Sequence, residues 1–133
     1  MSSLEPLPDL PQDLADAAYR AGDEFAWSPS IAVSVTKWLG EHGYAVLGTE
    51  LWVLKHDGTI ISLPLGISGL PEVHGNTVDR KKGETWSSFT RRATAETLAY
   101  LGRFNPADIV EEGNVRFNIT WVTEIEFEQL RPR

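Results

Sequence analysis

The sequence predicts an α+β fold: a single two-layer domain, an antiparallel sheet with helices packed mainly on one face. Three observations carry that prediction. Two stretches, 29–42 and 84–103, repeat apolar residues at helical spacing. A third, Val115 to Phe127, alternates apolar and polar residues as a half-buried strand does. Between them, His56-Asp57-Gly58-Thr59 carries the Asp-Gly signal of a hairpin joining two β-rich runs. Antiparallel strands beside amphipathic helices bury their apolar sides most simply as a sheet with helices laid across it.

Taken in order, residues 1–10 read as a frayed terminus. Leu10, Leu14, Ala17, Ala18 and Ala21 recur at helical spacing after Pro11, and Gly22 is a natural stop, so a short helix is expected over 11–21. Ser28 and Pro29 suit the N-cap and first position of the next helix, 29–42. Its stripe is Ile31, Val35, Trp38 and His42, and Gly43 ends it. His42 falls where a helix favours partial positive charge. Residues 44–55 are rich in β-formers. The unbroken apolar run Leu51–Leu54 suggests cover on both faces, and Gly48 marks a bulge or break. A return strand over 59–63 follows a two-residue turn. Residues 65–83 form a long loop by composition, and loops of that length often carry function. Helix 84–103 carries Trp86, Phe89, Ala93, Thr97, Tyr100 and Phe104 near one face, with a kink possible at Thr94. Asn105-Pro106 closes it, and an acidic turn leads to the last strand, 115–127. That strand would span roughly 43 Å, long enough that a bulge near Val122–Glu124 is expected.

A chain of 133 residues is one domain by length, 1–133, with ordinary hydrophobic and charged content. The absence of cysteine excludes disulfides, thiolate nucleophiles and thiolate metal sites. The first residues lack the features of a signal peptide and no apolar run is long enough for a membrane span, so a cytoplasmic protein is expected. The net charge is −7, with acids crowded at both ends and bases gathered in Arg80, Lys81, Lys82, Arg91 and Arg92. Direct nucleic-acid binding is disfavoured, because phosphate affinity needs a basic footprint.

No motif nominates catalysis. His42, His56 and His74 lie far apart and without metal-ligand spacing, and no glycine-rich phosphate loop or nucleophile elbow is present. No catalytic residue, cofactor or metal is expected. Asn118-Ile119-Thr120 matches a glycosylation sequon but falls inside a strand. Of five tryptophans, Trp38, Trp86 and Trp121 read as core. Trp27 and Trp52 are less constrained. Trp52 beside Glu50 would suit a protein-binding hot spot if exposed, and core packing is the simpler reading. The other candidate contact is an acidic stripe of Glu124, Glu126 and Glu128, two residues apart on one strand face.

The stretches Trp38-Leu39, Gly43-Tyr44-Ala45-Val46-Leu47-Gly48-Thr49-Glu50-Leu51-Trp52, Glu84-Thr85-Trp86-Ser87-Ser88-Phe89 and Phe117-Asn118-Ile119-Thr120-Trp121-Val122 together resemble the small cytosolic immunity proteins of bacterial polymorphic toxin systems. The resemblance covers roughly residues 27 to 128, and no subfamily is assigned. It implies a non-catalytic α+β protein that binds and neutralises a cognate protein toxin, a basic nuclease being one case. Glu50, Trp52, Glu124, Glu126 and Glu128 are then the expected partner-binding residues. The alternative is a small enzyme or ligand-binding domain with a pocket between long helix and sheet, lined by Trp86, Phe89, Tyr100 and Trp121. A third reading is a module that self-associates through a sheet edge.

Overall fold

The computed structural model describes residues 10–63, 75–105 and 114–130. Residues 1–9, His74 and the acidic turn over 106–113 lie outside them. The elements run α1 (Gln12–Asp16), β1 (Tyr19–Ala21), β2 (Glu24–Trp27), α2 (Pro29–Glu41), β3 (Ala45–Leu54), β4 (Ile60–Leu63), β5 (Gly75–Thr77), α3 (Trp86–Arg103), β6 (Asn114–Val122) and α4 (Glu124–Leu130). The architecture is the expected α+β one. A single antiparallel sheet runs β1-β2-β6-β3-β4, and β5 pairs with β3 beside β4.

The centre is the β3–β6 ladder. Leu51 stands opposite Phe117 and Val53 opposite Val115. These side chains meet Val35 and Leu39 of α2 and Tyr100 and Leu101 of α3 in the main core. Tyr100 and Phe104 meet the Phe117 ring edge-on, at 5.8 and 5.0 Å between centroids. A smaller cluster of Ala45, Val78, Phe89, Ala93 and Val122 closes the far end of the ladder. The register slips between Val46 and Gly48, so the bulge sits at Leu47, next to the glycine in β3, and not at Val122–Glu124 in the partner strand.

Four expectations change. The helix predicted over 11–21 stops at Asp16, and Tyr19–Ala21 pairs with Glu24–Trp27 as a hairpin. Gly22, at φ +61, is the first residue of its Gly-Asp turn, not a helix stop. The pairing extends the sheet, and Trp27, opposite Phe117 of β6, is buried with its indole N–H donating to the Leu14 carbonyl at 2.8 Å. The hairpin after β3 turns through three residues instead of two: Lys55 N donates to Thr59 O at 2.8 Å and Gly58 N to Lys55 O at 3.0 Å. The 65–83 loop contains β5. Asn76 accepts a hydrogen bond from Thr49 Oγ1 (2.6 Å) and donates one to Thr97 Oγ1 of α3 (3.2 Å), which fastens β5 to both layers. Last, the 115–127 strand ends at Val122, and the chain turns into α4. Helix α3 runs unbroken through Thr94, capped by Thr85, whose hydroxyl accepts from Ser88 N at 3.1 Å.

Candidate protein-docking site

The strand-to-helix switch at Thr123 is chemically explicit. Thr123 Oγ1 accepts from Glu126 N (3.2 Å), and Glu126 Oε1 accepts from Thr123 N (2.8 Å). This reciprocal pair is a capping box, and the Thr-x-x-Glu signal was present in the sequence at Thr123-Glu124-Ile125-Glu126. Glu124, Glu126 and Glu128 therefore do not form a strand stripe. At about 100° per helical residue, Glu124 and Glu128 lie on one side of α4, and Glu126 shares another with Leu130.

One side chain anchors α4 to the body. Phe127 packs 5.7 Å from the Trp86 ring and 5.6 Å from the Phe89 ring. Trp86 is itself fixed by an indole hydrogen bond to the Gly43 carbonyl at 2.9 Å. Arg80 clamps the joint. Its guanidinium lies 5.5 Å over Trp86 and 5.6 Å over Phe127, bonds Glu128 at 3.2 Å, and donates through Nε to the Glu84 carbonyl at 3.1 Å. Behind it, Glu84 accepts two hydrogen bonds from Arg92, each 2.8 Å, and one from Lys81 N at 2.9 Å. The Arg92 guanidinium, with that backbone bond, holds the Glu84 carboxyl at about 2, so it stays ionised at any working pH. Arg92 also bonds Glu96 and the Asp79 carbonyl, which stiffens the loop ahead of α3.

What α4 turns to solvent is mixed. Glu124, Glu126, Glu128 and Gln129 are exposed. So are Ile125, at 72%, and Leu130, at 66%, the exposed large hydrophobic residues among those described. Truncating the anchor should free this helix: Phe127→Ala is expected to lower stability by about 1–3 kcal/mol. It should also abolish amide-exchange protection over Glu124–Leu130 while leaving β3 and β6 protected. Unchanged protection in α4 would show that Phe127 is not the anchor.

Glu50 and Trp52 occupy a different place. Thr49 faces α3 through Asn76, so Glu50 and Trp52 point to the opposite face of β3, across from Asn118 and Arg116. Trp52 is 3% exposed and donates its indole N–H to Glu50 Oε1 at 3.0 Å. Its burial withdraws it as an exposed hot spot. From Asn118 to Val122 the strand runs about 13 Å before α4 begins, so the two groups of predicted contact residues are not brought together. Trp52 follows the simpler core reading, and Trp27, less constrained by the sequence, is core as well. Trp27 and Trp52 are buried, whereas Trp38, Trp86 and Trp121 are half-buried and pack against the two core clusters. Strand pairing decides this, and a helical stripe cannot reveal it. The space between long helix and sheet is filled by packed rings: Phe89 and Tyr100 are 0% and 1% exposed. Burial pushes the Tyr100 hydroxyl well above its usual range. Among the described residues, no group of three or more His, Cys, Asp or Glu side chains is placed to share a metal ion, and no helix is long and apolar enough to cross a membrane.

Comparison of the chain with protein-family models, with curated proteins and with solved structures gives no match. The geometry of this end of the molecule, where α4, the loop before α3 and the Trp86 platform meet, carries the functional reading.

Proposed function

We propose that this protein is a non-catalytic inhibitor that docks on a cognate protein toxin through α4 and neutralises it. The observation behind the reading is the outer surface of α4: Ile125 and Leu130 exposed among Glu124, Glu126 and Glu128, on a helix held by Phe127 and Arg80. Exposed apolar side chains beside carboxylates suit a partner surface that is itself apolar and basic. The apolar contacts would supply affinity, and the charges rate and selectivity. The net charge of −7 would speed approach of a basic partner such as a nuclease. The packed ring layer where the alternative reading needs a pocket also favours a binder over an enzyme. The reading places the complex in the bacterial cytoplasm.

The test begins with capture on the immobilised protein from its own host. The captured protein, expressed alone, should arrest growth, and co-expression of this chain should restore it. Reversing Glu124, Glu126 and Glu128 to lysine should then slow association by about tenfold or more at low salt, with the difference shrinking as salt rises. A captured protein without toxicity would end the toxin reading. Unchanged association after the triple reversal would remove α4 as the docking element.

A further inference from the structure

A second feature of the same end does not depend on a toxin. Between the loop ahead of α3 and α4 lies a cleft of about 620 Å³ whose lining includes Arg80, Lys81, Lys82, Glu84, Phe127 and Glu128. That volume is in the range of small-molecule sites and well above what a bare inorganic ion fills.

The charges around it do not cancel. Two carboxylates and three cations line the cleft. Glu84 is paired with Arg92, which sits outside the lining and is shared with Glu96. Glu128 is paired with Arg80. Lys81 and Lys82 are exposed, and neither ammonium has a carboxylate within 4.0 Å among the described residues. The lining, three cations against two carboxylates, is therefore net positive in a protein whose net charge is −7. The Lys81 backbone is held by Glu84 Oε1, and the Arg92 bond to the Asp79 carbonyl fixes the chain just before it, so the lysines rise from an ordered loop. Thr85, the N-cap of α3, also lines the cleft, so the start of that helix adds partial positive charge there. Phe127 supplies one apolar wall.

We propose that this cleft binds a small phosphate ester. Lys81 and Lys82 hold the dianionic group as point charges. The organic part lies against Phe127. Phenyl phosphate and inorganic phosphate are the probes, titrated separately into the intact protein against sodium chloride of equal ionic strength and followed by amide shifts of residues 80–87 and by the Trp86 indole signal. Phenyl phosphate should saturate, and inorganic phosphate should bind the same amides about tenfold more weakly, because it lacks the apolar part. Lys81→Gln with Lys82→Gln should weaken phenyl phosphate by about tenfold or more, since the charge-assisted contacts to the dianion are lost. The paired arginine variants should retain binding. Glu124→Gln with Glu126→Gln should not weaken it, which separates this site from the docking surface. Shifts that never saturate, that chloride reproduces, or that survive the double glutamine variant would overturn the proposal.

Discussion

Replacing Phe117 with alanine is expected to remove about 3–5 kcal/mol of folding stability. Phe117 is 0% exposed, stands opposite both Leu51 and Trp27 in the sheet, and takes the edges of Tyr100 and Phe104 from α3. Its loss opens a hole where sheet and long helix meet, bounded by strands on both sides that cannot collapse into it. Edge-to-face partners add about 0.5–1.5 kcal/mol beyond area burial, and two such contacts vanish together. Small domains hold only about 5–15 kcal/mol in total, so much of the margin would go. Denaturant unfolding gives the value directly. Phe117→Leu should cost clearly less, because it keeps most of the apolar volume. A loss under about 1 kcal/mol for the alanine variant would mean that the ring contacts are not what hold α3 to the sheet.

Gly75→Ala should be the most damaging of the conservative changes, at about 2–4 kcal/mol. Gly75 sits at φ +149, outside the range side chains readily adopt, and an added Cβ would overlap the Thr49 carbonyl of the neighbouring strand. Backbone cannot yield as a flexible side chain can, so β5 must move away from β3. That movement would pull Asn76 from Thr49 and Thr97, two polar groups 7% and 0% exposed, which water would not readily satisfy. Gly22→Ala provides the contrast. At φ +61 it carries strain of about 1–2 kcal/mol, but open space surrounds it. Unfolding free energies of the two variants, with amide exchange over Gly75–Thr77, decide the point. Equal costs would mean that the close strand approach contributes nothing.

The candidate site was legible in parts. The sequence points to all three glutamates of α4 as a partner surface, but places them on a strand face where the chain forms a helix. Alternation through Phe127 extends a strand on paper, because seven helical residues are too few for a 3.6-residue period to compete with it. The capping box at Thr123 was the overriding signal. Arg80, Phe127, Ile125 and Leu130 were not foreseen as site residues, since their roles come from contacts with Trp86, Phe89 and Glu84 or from exposure that only the folded chain defines.

The sequence by itself determined α2 and α3 to within a residue or two. Helical stripes, the Ser28-Pro29 start and the Gly43 stop all act within a few residues of chain. It also determined the inward face of β6 as far as Trp121 and the irregularity at Gly48 in β3. Only the tertiary structure decided the rest. Gly75-Asn76-Thr77 contains few strand formers and is a strand because β3 offers it a ladder and Thr97 a bond. Tyr19–Ala21 leaves the helix because pairing with β2 extends the sheet. Trp27 and Trp52 are buried, and Trp86 becomes a platform, through neighbours distant in sequence. Local backbone preferences amount to tenths of a kcal/mol per residue, whereas burying a large side chain is worth several times that, so contacts across the fold prevail wherever the two disagree.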